Sequence, residues 1–226
     1  RSAIPSRQCP PSATEARSTI EGLNRNAAVS GIMLHLPTPA SVDSFMLQQC
    51  IAPSKDVEGI GATNLGLLAM GRPALAPCTA LAAFECIKSV CPDVAGKRVV
   101  VVGRSAIVGK PLAMMLLNAN ATVEVCHSKT CDLENHAREA EILVVAMGRP
   151  GFIGAAHVMA GAIVIDVGTN RVEMAGADGV VKMRTVGDVR FEEVAPLARA
   201  MTPVPGGVGP ITVAALTKIL ERERPD

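Results

Sequence analysis

The stretch Arg98-Val99-Val100-Val101-Val102 runs straight into Gly103, and a second glycine follows at Gly109. Four consecutive valines resist a helix, because branching at Cβ restricts χ1 against the preceding turn. An unbroken apolar run of this length suits a strand covered on both faces, which is the environment of a parallel sheet flanked by helices. A helix starting at Gly109 would aim its unpaired N–H groups at whatever sits above the strand end. The spacing is glycine, five residues, glycine, not the common GxGxxG fingerprint. Taken alone, the turn is either a ligand loop or an ordinary connection from strand to helix.

The segments that follow repeat the pattern. Strands are expected at 98–102, 121–125, 142–147 and 162–167, with helices at 109–118 and 133–140 between them. Two further strand ends are glycine-marked, at Gly148-Arg149-Pro150 and Gly168-Thr169-Asn170. Open parallel sheets collect ligands along that edge. Residues 171–184, with Gly176 and Gly179, read as a solvent-exposed excursion, followed by a short strand at 185–189 and a short helix at 191–199. The run from Thr202 to Pro210 alternates proline stiffness with glycine permissiveness. It is a shaped binding wall or a rigid connector, and a terminal helix follows at 211–220.

Upstream, residues 1–12 read as an extended lead-in, and Ser12 or Thr14 can cap a helix ending near Asn24. Val29 to Leu36 reads as a short buried strand, and helices are expected at 42–50, 64–70 and 80–90. Between them, residues 52–61 set Lys55, Asp56 and Glu58 in a glycine-punctuated loop, which is a site or a solvated turn.

Composition narrows the partners. The 226 residues carry 22 basic and 21 acidic side chains, which leaves no electrostatic footprint for nucleic acid or a membrane surface. Tryptophan and tyrosine are absent and there are 4 phenylalanines, so the core is aliphatic and base-stacking platforms are missing. The 7 cysteines show no metal-ligand spacing, so reduced thiols, no bound metal and a reducing compartment such as the cytoplasm are expected. No apolar run is long enough to span a bilayer. Because the sequence begins at Arg1, a mitochondrial or plastid targeting segment upstream stays open.

If the turn from Gly103 to Gly109 holds a dinucleotide, the residue reading its ribose belongs after the next strand, where NAD sites place a carboxylate. Here that position holds Cys126-His127-Ser128-Lys129-Thr130, and Arg104 stands in the preceding turn. A hydroxyl and cationic groups suit a 2′-phosphate, which favours NADP. Glu124 argues the other way unless strand alternation turns it from the pocket. His127 either contacts ligand or satisfies a local backbone hydrogen bond.

Eight stretches, in order, carry a resemblance. They are LHLPTP at 34–39, PSKDVEG at 53–59, PCT at 77–79, VVGRSAIVGKP at 101–111, ATVEVCHSKT at 121–130, GAIVIDVGTN at 161–170, VGDV at 186–189 and TPVPGGVGPIT at 202–212. Over about residues 12–220 the chain resembles the methylenetetrahydrofolate dehydrogenase/methenyltetrahydrofolate cyclohydrolase family. The resemblance implies an α/β fold in which a Rossmann-like nucleotide domain (93–200) joins an incomplete N-terminal α/β lobe (1–92). Residues 201–226 supply a cleft loop and a helix returning to that lobe, and homodimers are expected. It implies NADP held by Gly103, Arg104, Ser105, Ile107 and Val108, with Ser128 near the adenosine ribose and Thr169 near the nicotinamide. A tetrahydrofolate derivative would lie against Asp56, Pro205, Gly206 and Gly207.

Departures from the family bear on the chemistry. The family's tyrosine and catalytic lysine lie on an N-terminal helix with no matching position here. His35 stands where glutamine is usual, and Glu58 replaces the second aspartate of a KDVDG-like loop. The catalytic candidates are then Asp56 orienting the pterin, His35 as its polar partner and Glu58 as an altered carboxylate. The expected activity is bifunctional, dehydrogenase with cyclohydrolase. The alternative is a catalytically impaired nucleotide- or folate-binding paralogue or an incomplete gene product. An unrelated NADP oxidoreductase would leave both KDVEG and TPVPGGVGP unexplained.

Overall fold

The computed structural model describes residues 12–222 apart from Leu36 and residues 176–180. Chain order begins with α1 (Ala13–Arg25), capped by Ser12, whose hydroxyl accepts the Glu15 N–H at 3.2 Å. Ala16 and Ile20 of α1 pack with Ile32, Val42, Leu47 and Ile51 in a small core shared with α2 (Ser44–Gln49). The strand expected from Val29 to Leu36 does not form. Ile32 alone makes a bridge, its N–H donating to the Lys55 carbonyl at 2.7 Å. The neighbour is a 3-10 turn at Pro53–Lys55 that curves away after one residue, so no ladder can extend. Met33 is accordingly exposed, while Leu36 lies outside the described residues. Helices α3 (Ala62–Ala69) and α4 (Cys78–Val90) follow.

The parallel sheet matches expectation closely. Strands β1 (Arg98–Val102), β2 (Thr122–Cys126), β3 (Ile142–Val145) and β4 (Ile163–Asp166) alternate with α5 (Gly109–Asn118) and α6 (Leu133–Arg138). All four interior positions of β1, Val99 to Val102, are buried. The excursion expected at 171–184 is instead an antiparallel ribbon of β5 (Asn170–Ala175) and β6 (Val181–Val186). Asn170 to Glu173 alternate between half-buried and exposed along β5, whereas the first four residues of β6 are exposed on both faces. Val181 to Arg184 are exposed, as expected, and Gly176 and Gly179 lie outside the described residues. The strand expected at 185–189 is divided: Thr185 and Val186 finish β6, and Val189 bridges to Ile153. A short α7 (Phe191–Val194), β7 (Ala200–Met201) and α8 (Val208–Arg222) complete the chain.

The sheet order is β2-β1-β3-β4-β7 with every pair parallel. One face packs Val99, Val101, Ile142 and Val144 against α4 and α5, and the other packs Val100, Val102, Leu143 and Val145 against α6 and α7. Helix α8 lies along α4, and its Ile219 joins Val57, Leu75 and Cys78. Among the described residues no helix is long and apolar enough to cross a membrane. Leu112 of α5 is completely buried in the first of these cores. Leu112→Ala is expected to destabilise the fold by about 3 kcal/mol, measured by urea denaturation.

Candidate functional site

Strand order reverses between β1 and β3, which opens a crevice above their carboxyl ends. The turn after β1 is built for close approach. Gly103 has φ +134°, and a Cβ there would run into the Ala146 carbonyl oxygen beyond β3. A Cβ on Gly109 would strike the Gly103 carbonyl oxygen. Both glycines are therefore required by backbone packed on backbone. Ser105 closes the turn, its Oγ accepting from the Val108 N–H at 3.1 Å, while its carbonyl accepts the Lys110 N–H at 3.0 Å. Ala106 and Ile107 are exposed above the start of α5, and their N–H groups have no partner among the described residues. This is an anion-binding arrangement.

Register places the second part of the turn beside the first. Val102 pairs with Cys126, and the Gly103 N–H donates to the Cys126 carbonyl at 2.9 Å. Arg104 and Ser128 consequently leave adjacent strands two residues beyond the last pair, and both are exposed. Glu124 is turned away, engaged by Arg98 and His136. His127 takes the local role, its Nδ1 accepting the Lys129 N–H at 3.1 Å.

Two buried aspartates that sequence reasoning missed hold the rest of the edge. Asp188 is 0% exposed and accepts four hydrogen bonds. Met147 and Gly148 N–H donate to Oδ2 at 2.7 and 2.9 Å, while Arg149 N–H and Asn170 Nδ2 both donate to Oδ1 at 2.8 Å. Asp166 accepts from Gly168, Asp188 and Val189 N–H at 2.9, 3.1 and 2.9 Å. Burial pushes its carboxyl up to about 6 despite those donors. The available signal was an acid closing the apolar strand Ile163-Val164-Ile165 and another inside VGDV.

Asp166 also borders a pocket shared by Thr169, Pro205, Gly206 and Gly207. The fold thus joins an expected cofactor residue to three expected substrate residues. Pro205 and Gly206 are exposed on this wall, and Val208 is buried where α8 begins. The wall is therefore anchored at its far end.

The polar loop at 52–61 forms a separate cluster. Lys55 is spent on structure, its Nζ donating to the carbonyls of Leu23, Asn24 and Asn26 at 3.0, 2.8 and 2.8 Å. It closes the end of α1. Asp56 is 1% exposed, and Gln48 Nε2, Gly61 N–H and Asn64 Nδ2 donate to it at 3.0, 2.7 and 3.1 Å. Its carboxylate faces inward, which differs from direct orientation of a ligand. Glu58 is half-buried, and its carboxyl is raised by burial first and then by Asp56, with His35 opposing the rise. His35 is exposed beside it. Burial pushes the nearby Cys78 thiol up to about 11, so it is a poor nucleophile at neutral pH.

Comparison with known proteins adds the following. Residues 77–223 match the family model described as tetrahydrofolate dehydrogenase/cyclohydrolase, NAD(P)-binding domain. The chain is 50% identical over 202 residues to bifunctional protein FolD 1 of Rubrobacter xylanophilus, covering 89% of this chain and 68% of that protein. It superposes with a TM-score of 0.87 on the crystal structure of the bifunctional FolD dehydrogenase/cyclohydrolase of Campylobacter jejuni, at 40% identity, covering 94% of this chain and 73% of the other. The Trypanosoma brucei FolD, solved with NADP cofactor and inhibitor, aligns with a TM-score of 0.86 at 38% identity, covering 94% and 72%. The chain spans about two thirds of the length of the curated relatives it matches.

A carboxyl raised from 3.8 to about 6 binds its proton more tightly in the folded state. Its stabilising contribution is full below the ordinary value and is lost as pH rises through about 6. Asp166→Asn cannot ionise. Relative to the parent chain, its unfolding free energy is expected to improve by up to ~3 kcal/mol between pH 4 and pH 7, read from urea denaturation across that range.

Proposed function

The chain belongs to the tetrahydrofolate dehydrogenase/cyclohydrolase family, and from that membership we propose that its 226 residues form a cleft binding NADP and a tetrahydrofolate derivative, competent to position hydride transfer but not to manage the protons of hydrolysis. The observation that carries this reading is the crevice at the β1–β3 reversal, where Gly103 lets backbone approach backbone beneath the exposed turn. A dinucleotide fits that turn: Gly103 and Gly109 let it pack backbone on backbone, and the exposed Ala106 and Ile107 N–H groups ahead of α5 have no partner among the described residues.

Gly103, Ser105, Ile107 and Val108 would hold the pyrophosphate side, with Arg104 and Ser128 at a 2′-phosphate and Thr169 at the nicotinamide end. The cofactor, when bound, supplies a hydride acceptor. Pro205, Gly206 and Gly207 would wall the folate side of the pocket that Thr169 also borders. Hydride transfer asks the protein chiefly for two ligands held face to face. Asp188 and Asp166 serve that end as positioning residues, because they tie the loops after β3 and β4 to the segment 187–189. Asp56 acts through the loop it braces, and Glu58 with His35 presents the polar face to a pterin.

Opening a methenyl bridge with water requires a group that takes and returns a proton. The sequence contains no tyrosine, and Lys55, the lysine of this loop, is committed to three carbonyls. That supports the impaired reading for the cyclohydrolase half. A nucleotide domain over 93–200, a folate-side lobe over 1–92 and a returning segment over 201–226 belong to the same proposal, supported by α8 packing back on Val57, Leu75 and Cys78. So does a homodimer, for which exposed Val181 and Met183 offer apolar surface.

Titration with reduced cofactors, followed by nicotinamide fluorescence, is expected to show NADPH bound more tightly than NADH. Arg104→Ala should weaken NADPH by about tenfold or more while leaving NADH unchanged. Equal affinities, or tighter NADH, would reverse the cofactor assignment. In a separate absorbance assay the purified 226-residue chain should hydrolyse methenyltetrahydrofolate no faster than buffer, and rapid protein-dependent hydrolysis would restore the full bifunctional reading.

A further inference from the structure

Beyond the cleft, three metal-ligating side chains meet on the other side of the nucleotide edge. Glu124 and Cys126 are separated by one residue on β2, so alternation sends both to the sheet face covered by α6. His136 comes down from α6 onto that face, next to Ala137, which is completely buried. The carboxylate, Sγ and imidazole donor atoms all lie within 4.8 Å of one another. The His136 Nδ1 is already directed at the Glu124 carboxylate. No sequence spacing exposed this set, because the helix is separated from the strand by the turn that carries Ser128.

We infer that Glu124, Cys126 and His136 form a binding site for one divalent cation of the zinc class, with a fourth position open to solvent.

The donor set is what selects the ion. Thiolate, imidazole and carboxylate together suit zinc and its spectroscopic substitute cobalt, whereas calcium and magnesium demand oxygen alone. Access is available because β2 is the edge strand of the sheet, so its outer side is not covered by another strand. Glu124 and His136 are only half-buried, while Cys126 is buried beneath them. The ion would thus enter from solvent and be seated on sulfur. Charge balances as well. Carboxylate and thiolate together match a dication, and Arg98, whose Nη1 pairs with Glu139, reaches Glu124 only through Nη2 at 3.7 Å, a contact the ion would displace. As the metal–sulfur bond forms, the thiol proton leaves to solvent and no electron is transferred. Donor separations in a tetrahedral site are about 3.4 Å for bonds near 2.1 Å, so closure on the ion requires side-chain adjustment within the present constellation.

Such an ion would staple β2 to α6 directly behind the turn holding Ser128. It is independent of the proposed cofactor and of either folate reaction, and it is tested without them. The metal-free chain, kept reduced with a non-thiol, non-chelating phosphine, is titrated with Co2+. One equivalent is expected to produce a thiolate-to-cobalt charge-transfer band in the near ultraviolet and visible bands of tetrahedral intensity. Zn2+ should displace it stoichiometrically. Cys126→Ser should abolish the charge-transfer band. His136→Ala, which alters a half-buried position, should weaken cobalt binding by about tenfold or more while its circular dichroism remains that of the parent. Absence of the band in the parent chain would overturn the site. So would a band that survives Cys126→Ser, since the ion would then sit on another cysteine such as exposed Cys131.

Discussion

Burial of Val99 to Val102 on both faces is the constraint from which the architecture follows. A strand with no wet side must have strands beside it and helices above and below, and β2, β3, α5 and α6 meet that demand. Parallel pairing then forces each connection to cross over the sheet, so all carboxyl ends gather at one edge. The reversal of strand order between β1 and β3 leaves the edge open at one point. The site is therefore a consequence of how the core is covered.

An edge made of loops needs something to hold it, and here two buried carboxylates do so. Asp188 gathers three backbone N–H groups of the loop after β3 together with the Asn170 side chain. Asp166 gathers Gly168, Asp188 and Val189. Charge buried without a cation is costly, but each carboxylate is surrounded by amide donors whose dipoles oppose its charge. The two residues link the loops after β3 and β4 to the segment that follows β6, and Asp166 also borders the pocket lined by Pro205, Gly206 and Gly207.

The same principle explains the smaller lobe. Asp56 and Lys55 look like site chemistry in a list of residues, yet their partners are Gln48, Asn64, Gly61 and the end of α1. They shape the loop that carries half-buried Glu58, beside exposed His35 of the preceding segment. Local spacing could not separate these roles, since adjacent loop residues of similar chemistry point in opposite directions once the backbone turns. Val29 to Leu36 failed for a related reason. Its composition suited a strand, but a strand exists only with a partner, and a single bridge from Ile32 is what the neighbouring turn permits.

The sequence by itself determined the alternation of β1 to β4 with α5 and α6, the glycine turn at Gly103 and Gly109, and the Ser12 cap, because apolar periodicity, glycine geometry and capping are local effects. It also carried the family, through eight stretches in order. Tertiary structure alone decided that Asp166 and Asp188 brace the edge, that Asp56 faces inward, and that β5 and β6 pair as a ribbon. It alone brought His136 over Glu124 and Cys126. Each of these depends on which distant backbone or side-chain group arrives alongside, a contact that packing creates and residue spacing along the chain does not encode.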